Sequence, residues 1–169
     1  DQKNPNPKVV IGKDTRISGD MLENALSAGI MAMGGEVIQV GVLPTPAIAC
    51  LVRTMGADAG VMISASHNPF EYNGIKFFNR DGFKLDDDIE DAIEDIIVRD
   101  IDVNSHITGE RLGRCFKEEE EAKRIYIDHL LETMDGTLEG YKVVLDCANG
   151  AAYPVAMQVY QELGADVVT

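Results

Sequence analysis

The sequence predicts an α/β protein: a layered, mixed and mostly parallel sheet with helices on both faces, followed by the start of a second, similar α/β domain. Two observations support this prediction. Short apolar runs of strand length alternate with segments whose apolar residues recur at helical spacing, an order typical of parallel sheets covered by helices. The third and fourth apolar runs are separated only by a short loop, which favours an antiparallel pair and therefore a mixed sheet.

The first two strand–helix units occupy the first third of the chain. The run KVVIGKD (8–14) is apolar and closed by polar residues, which indicates a buried strand. A helix is predicted to follow, because apolar residues recur at helical spacing between a capping Ser18 and two consecutive glycines. Residues 36–44 are the next predicted strand, and residues 45–56 are the next helix, which has a proline in its first turn.

Two further strands and a helix complete the first predicted domain. The third strand is expected at residues 59–66 (AGVMISAS) and the fourth at residues 74–79 (GIKFFN). Residues 86–98 repeat isoleucine on one side of an otherwise acidic segment, which predicts an amphipathic helix. We assign residues 1–112 to this first domain.

A second domain is predicted over residues 113–169. It begins with a helix at residues 118–134 and continues with a strand and turn at residues 141–152, a further helix and the start of another strand. Because that last strand has no continuation in the sequence, we expect the second domain to be cut short and the chain to be a fragment.

Composition narrows the range of functions. The formal net charge is −14. This argues against nucleic acid or an anionic membrane as a partner, because both bind most strongly to dense clusters of Lys and Arg. The acidic runs at residues 86–95 and 118–121 are interpreted as solvated helix faces. No apolar run is long enough to cross a bilayer. The three cysteines are far apart and lack a Cys-x-x-Cys pair, which fits a reducing compartment and argues against a structural zinc site.

The stretch ISASHNPFEYNGIKFF (63–78) carries most of the candidate chemistry. Ser64 and Ser66 lie two residues apart and are predicted to face the same side of the third strand. Ser66 is nearer the carboxyl end of that strand, where open α/β sheets bind their ligands. The alternative is an Asn-Pro turn with incidental hydroxyls. A serine hydrolase fits poorly, because there is no Gly-x-Ser-x-Gly elbow and the adjacent His67 is expected to point across the strand.

The roles of several other polar residues cannot be decided from the residues themselves. Lys76 is either a functional lysine or a lysine at the edge of a strand. Lys13, Asp14 and Arg16 form a strand-to-helix junction, which is either a phosphate site or ordinary surface. The CANG turn (147–150) lacks both the dinucleotide-binding glycines and the P-loop lysine, and is interpreted as structural. No part of the sequence has the spacing of a metal site.

Three motifs taken together resemble a known superfamily. GKDTRISG, ISASHNPFEYNGIKFF and DCANGAA occur in the order found in the α-D-phosphohexomutases, and the second motif is most similar to the bacterial phosphoglucosamine mutase family. The resemblance runs along almost the whole chain. It implies the N-terminal part of a four-domain cytoplasmic enzyme that interconverts glucosamine 6-phosphate and glucosamine 1-phosphate through a sugar bisphosphate. That reaction leads to UDP-N-acetylglucosamine and the cell wall.

The resemblance also implies roles for individual residues. Ser66, directly before His-Asn-Pro, corresponds to the phosphoserine of the family, which holds Mg²⁺ through a phosphate oxygen. Lys76, of the Asn-Gly-x-Lys motif, corresponds to the general acid/base, with His67 in support. Arg16 would help to hold the phosphoserine and the transferring phosphoryl group. The implied partner is a small sugar phosphate, and a homodimer of the full-length protein is left open.

Parts of the family pattern are absent from this sequence. The metal loop Asp-Gly-Asp-x-Asp-Arg, the sugar-selecting loop and the phosphate-binding C-terminal domain are not found. We therefore expect the other Mg²⁺ ligands to lie outside this chain, and the chain alone to be inactive. Phosphomannomutase or phosphoglucomutase specificity is the alternative within the superfamily, and a non-catalytic phosphosugar-binding domain is the alternative among other classes.

Overall fold

The strands and helices follow the predicted alternation. A computed structural model describes residues 6–99 and 107–169 of the chain. Its strands are β1 (Lys8–Lys13), β2 (Glu36–Val42), β3 (Ala59–Ile63), β4 (Ile75–Asn79), β5 (Cys115–Lys117), β6 (Lys142–Val144) and β7 (Asp166–Val168). Its helices are α1 (Gly19–Ala32), α2 (Thr45–Thr54), α3 (Asp87–Val98), α4 (Glu119–Glu132) and α5 (Tyr153–Glu162), with a 3₁₀ turn at Gly109–Arg111.

Five of these strands form one mixed sheet in the order β4–β3–β1–β2–β5. β1 pairs in parallel with both β2 and β3, and β2 pairs in parallel with β5. β4 is antiparallel to β3, which confirms the prediction made from the short loop between them. The first two connections run through helices, because parallel neighbours need a crossover whereas an antiparallel pair does not.

Helices cover both faces of this sheet, as predicted. On one face α1 packs over Ile11 and Val61, which are almost completely buried. On the other face Val10, Ile48 of α2 and Ile127 of α4 are fully buried in a second apolar layer. Neighbouring residues of β1 therefore point into different layers, which is why the central strands are apolar along their whole length.

The sheet extends beyond the domain boundary predicted after residue 112. β5 adds to the edge of β2, and α4 packs against β2 and α2, with Tyr126 buried in the main core. The short run of β5 carries exposed side chains, so its sequence lacks the apolar signal of a buried strand. A separate parallel pair, β6 and β7, follows with α5. The division of the chain at residues 112 and 113 stays a prediction.

The acidic helix α3 forms where the isoleucine pattern predicts it, at Asp87–Val98. The described part of the chain leaves its apolar side largely open to solvent, and Ile97 is 72% exposed. Within residues 6–99 and 107–169, no helix combines the length and the apolar character that a membrane span requires.

A buried ion pair ties the end of β1 to α1. Lys13 Nζ lies 2.5 Å from Glu23 Oε2, and these two side chains are 15% and 7% exposed. Asp20 Oδ1 lies 2.8 Å from the same ammonium. Burial by itself would lower the pKa of Lys13, but its hydrogen bonds to Asp20 and Glu23 outweigh burial and raise that pKa above its ordinary 10.5. Glu23 Oε1 has no hydrogen-bond partner among the described residues. The charge of Lys13 therefore balances the negative charge of this buried carboxylate.

We predict that Lys13→Met lowers the free energy of unfolding by about 3 kcal/mol, because it leaves the buried Glu23 without its counter-charge. Urea denaturation of the variant and the wild type measures this loss. The contribution of Lys13 should be fully present below pH 10.5 and should disappear as the pH rises through the raised pKa of the ammonium.

Two further variants control this experiment. Lys13→Met combined with Glu23→Leu should recover most of the stability, because a well-packed apolar pair replaces a buried ion pair at little cost. Lys84→Met removes an exposed lysine with two acidic neighbours and should change stability much less. A Lys13→Met effect no larger than that of Lys84→Met would contradict the structural role assigned to the pair.

Candidate functional site

A cavity of about 860 Å³ lies at the carboxyl ends of β1, β2 and β3. Its walls come from the turn between β1 and α1, the start of α2, the loop after β3, and the turn before α5. Parallel strands bring their carboxyl ends to one edge of a sheet, so the connections from β1 and β2 to their helices meet the loop from β3 to β4 there. The cavity therefore lies at the sheet edge where the sequence analysis predicted ligand binding.

Ser66 lies in this cavity on a turn, not on a strand. β3 ends at Ile63, and Ser66 has a φ of 57°, in the left-handed region that non-glycine residues rarely occupy. Its N–H donates to the Ser64 hydroxyl at 3.0 Å, and Ser64 itself is buried. The prediction that Ser64 and Ser66 share one side of a strand is therefore wrong, because the backbone turns between them. Ser64 supports the turn, and Ser66 is presented to the cavity.

His67 lies beside the Ser66 hydroxyl. Its Nδ1 is 2.8 Å from Ser66 Oγ, and the tautomer of the ring decides which atom donates. The expectation that His67 points away across a strand is wrong for the same reason as above: adjacent side chains diverge on a strand but can converge on a turn. This contact places a proton acceptor or donor on the hydroxyl. Among the described residues no carboxylate is hydrogen-bonded to the ring, and the sequence has no Gly-x-Ser-x-Gly elbow.

Arg16 reaches the Ser66 loop from the turn after β1. Its guanidinium donates to Asp14 Oδ2 at 2.9 Å and to four backbone carbonyl oxygens of the loop. Asp14 also accepts from the Arg16 backbone N–H at 3.1 Å, so both carboxylate oxygens are occupied by the same residue. The structure thus brings Arg16 to the loop of Ser66, with its donors directed at the backbone.

Lys76 is set apart from this group. It lies on β4 opposite Met62 of β3, and Met62 lines the cavity. The Lys76 side chain is exposed and is not part of the cavity wall. Side chains alternate along β4, since Phe77 and Phe78 pack into different apolar layers. The structure therefore brings together three of the four predicted site residues, Ser66, His67 and Arg16.

The turn interpreted from sequence as structural also lines the cavity. Asn149 and Gly150 face it, and the Thr15 hydroxyl donates to the Asn149 carbonyl. This hydrogen bond joins residues 134 positions apart in the chain. The sequence did contain a clue to this role: the turn lies between a strand and a helix, as the Arg16 turn does. The start of α2 was missed in the same way.

Helix N-termini give the cavity a favourable field for anions. Thr45 and Pro46 at the start of α2, and Ala151 and Ala152 just before α5, line the wall. The N-terminus of a helix carries a partial positive charge, so the dipoles of both helices favour a negatively charged ligand. Each helix has a proline in its first turn, and Ala47 and Tyr153 already donate their N–H groups to nearby carbonyls, so the contribution comes from the dipole and not from free N–H donors. This matters in a chain of net charge −14, because the bulk field of the protein opposes anion binding.

We predict that Ser66→Gly is more stable than Ser66→Ala by about 1 kcal/mol, because only glycine adopts the left-handed conformation without strain. Both variants lack the hydroxyl, so urea denaturation of the two isolates the backbone effect. Ala28→Gly, at an exposed position inside α1, is the matched control and should lose about 1 kcal/mol instead. Equal stability of the two Ser66 variants would show that the residue is not left-handed in solution.

Comparisons with known proteins show which family this chain resembles. The family model for "Phosphoglucomutase/phosphomannomutase, alpha/beta/alpha domain I" matches residues 1–103. The phosphoglucosamine mutase of Clostridium botulinum (strain 657 / Type Ba4) is 58% identical over 161 residues, which cover 95% of this chain and 36% of that protein. The phosphoglucosamine mutase of Thermoanaerobacter sp. (strain X514) is 57% identical over 162 residues, with coverage of 96% and 36%.

A solved structure shows the same fold. The crystal structure of a phosphoglucomutase/phosphomannomutase family protein from Burkholderia thailandensis superposes with a TM-score of 0.73 at 28% sequence identity. The match covers 96% of this chain and 35% of that one. The chain thus spans about a third of the length of the relatives that it matches. Because the family model covers more than half of the chain, the chain belongs to the phosphoglucomutase/phosphomannomutase family.

Proposed function

We propose that this chain is the N-terminal part of a phosphoglucosamine mutase and that Ser66 is its phosphate carrier. The observation that carries the proposal is the display of the Ser66 hydroxyl in the cavity, on a left-handed turn and 2.8 Å from His67 Nδ1. The choice of glucosamine phosphate as the substrate rests on the relatives named phosphoglucosamine mutase, which are 55–58% identical to this chain.

The proposed reaction moves a phosphoryl group twice. In the resting protein Ser66 is phosphorylated, and its Oγ–P bond breaks as the free hydroxyl of glucosamine 6-phosphate or glucosamine 1-phosphate forms a new O–P bond. The bisphosphate then turns over, and Ser66 Oγ takes the other phosphoryl group, so no phosphate is gained or lost. His67 is placed to exchange a proton with Ser66 Oγ at this step. Lys76 is proposed as the acid/base for the sugar hydroxyl.

Mg²⁺ is the proposed cofactor, and this chain offers one ligand for it, an oxygen of the phosphate on Ser66. When bound, the ion neutralises charge on the transferring phosphoryl group. No group of three His, Cys, Asp or Glu side chains among the described residues could hold a metal. Asp14 is the one carboxylate in the described cavity wall, and both of its oxygens accept from Arg16. The remaining ligands are proposed to come from beyond this chain.

The larger biological setting follows from the same proposal. The full-length protein would be a cytoplasmic enzyme that acts on small sugar phosphates, on the route to UDP-N-acetylglucosamine and the cell wall. It would bind neither nucleic acid nor membranes, and it could act as a homodimer.

The test of this function uses the full-length parent protein with Mg²⁺ and a trace of sugar bisphosphate. We expect kcat/KM to be at least about tenfold higher for glucosamine phosphates than for glucose or mannose phosphates. Ser66→Ala should lose at least about 1,000-fold in turnover, because the phosphate carrier is gone. Thr54→Val, which removes a hydroxyl at the far end of α2, is the matched control and should keep full activity.

Each outcome of that experiment has a distinct meaning. A preference for mannose or glucose phosphates would keep the mechanism and change the substrate to that of a phosphomannomutase or phosphoglucomutase. Full activity of Ser66→Ala would remove the central assignment. Binding of sugar phosphates without turnover, and with Ser66 never phosphorylated, would favour a non-catalytic phosphosugar-binding domain.

We also predict that the 169-residue chain by itself has no measurable mutase turnover, since its described residues hold no group of three His, Cys, Asp or Glu side chains that could complete a Mg²⁺ site. A coupled assay with glucosamine 6-phosphate, Mg²⁺ and sugar bisphosphate measures this, with the full-length protein as the positive control. Turnover by the isolated chain above that of its Ser66→Ala variant would overturn the prediction.

A further inference from the structure

We infer that Arg16 is a positioning residue that shapes the loop of Ser66, and that its guanidinium does not bind the transferring phosphoryl group. The inference rests on the proposed function for the presence of a phosphate at Ser66. It departs from the role that the sequence resemblance implies for Arg16, which is direct contact with that phosphate.

The hydrogen bonds of Arg16 carry the inference. A guanidinium has five N–H donors and cannot lose its charge in a protein. Every one of the five has an acceptor in this structure, at distances between 2.7 and 2.9 Å. The acceptors are Asp14 Oδ2 and the backbone carbonyl oxygens of Ser66, Asn68, Pro69 and Tyr72. The Arg16 side chain is only 10% exposed, so water offers little replacement for any of these bonds.

This arrangement determines the shape of the loop. Four carbonyl groups within seven consecutive residues point at one cation, which fixes the path of the chain from Ser66 to Tyr72. One of the four belongs to Ser66 itself, whose backbone is held in the left-handed region. Without the guanidinium these carbonyls would lose their shared charged donor, and the strained turn would lose its strongest support.

Direct binding of phosphate would require this cluster to break. A phosphate oxygen can accept from Arg16 only if a carbonyl of the loop, or Asp14, gives up its hydrogen bond. That exchange would release the loop at the moment when Ser66 Oγ must be held for transfer. Asp14 holds the guanidinium in its plane by accepting from both the backbone N–H and Nε of Arg16. Residues 14 and 16 therefore act together on the loop.

The end of the loop is anchored to the same turn. Asn73 Nδ2 donates to the Ser18 hydroxyl at 3.0 Å, and Asn73 Oδ1 accepts from the Gly74 N–H at 2.8 Å. Ser18 occupies the N-cap position of α1 but makes no side-chain capping bond there. The turn after β1 thus holds both the body of the Ser66 loop and its exit into β4, which supports positioning as the task of this segment.

The test is Arg16→Lys in the full-length protein, because lysine keeps the charge but offers three donors on a flexible stem instead of a planar fork of five. We expect kcat to fall by about 100-fold, as for a small displacement of a reacting group. KM should stay within about threefold, because no ground-state contact with the substrate is lost. Arg53→Lys, at an exposed position near the end of α2, is the matched control and should change neither constant.

Phosphorus NMR of phospho-Ser66 separates the two roles of Arg16. The second ionisation of a phosphoserine lies at a pKa of about 6, and a direct guanidinium contact would hold it lower. If Arg16 only positions the loop, Arg16→Lys should leave this pKa unchanged while amide hydrogen exchange in residues 66–74 becomes faster. A raised phosphoserine pKa, or a tenfold rise in KM with kcat unchanged, would overturn the inference.

The remaining outcomes are also decisive. If wild-type Ser66 carries no phosphate, the proposed function fails, and faster exchange confined to residues 66–74 in Arg16→Lys would still support the positioning role. Unchanged exchange in that loop would overturn it. If Arg16→Lys does not fold, Asp14→Asn replaces it, since this variant keeps the guanidinium but weakens its orientation, and it should show the same loss of kcat to a smaller degree.

Discussion

Parallel pairing of β1 with both β2 and β3 is the constraint on which the candidate site depends. It brings the carboxyl ends of three strands to one edge, where the chain must turn before each helix or loop. The Arg16 turn, the start of α2 and the Ser66 loop meet there for this reason. The antiparallel β4 then returns alongside β3, which closes the Ser66 loop into a short connection with fixed ends. The strand order therefore determines where the site forms, and the side chains determine what it contains.

Charge balance explains how an acidic chain could carry a phosphate at this edge. Two cations near the end of β1 already have partners within the protein: Lys13, the last residue of β1, pairs with Glu23 of α1, and Arg16 donates to backbone carbonyls. In the proposed enzyme, attraction for a phosphate would come from the dipoles of the two helix N-termini and from Mg²⁺.

Much of the fold could be predicted from the sequence, because the determining signals are local. Apolar runs and helical spacing identified β1 to β4 and α1 to α3 within a few residues, and the short loop before β4 identified the antiparallel pair. The combination of Ser-His-Asn-Pro with Asn-Gly-x-Lys indicated the family, which the match over residues 1–103 shows. β5 was not predicted, because a three-residue strand with exposed side chains has no apolar pattern to reveal it.

The sequence by itself determined the strand–helix order, the family and the position of Ser66 near the end of β3. Only the tertiary structure decided how Ser66, His67 and Arg16 meet. The left-handed turn at Ser66 lies in a loop whose carbonyl groups accept hydrogen bonds from an arginine 50 residues earlier in the chain, and no local pattern shows that His67 faces the hydroxyl. The approach of Asn149 to Thr15 was equally hidden, because contacts between distant residues follow from packing and not from periodicity.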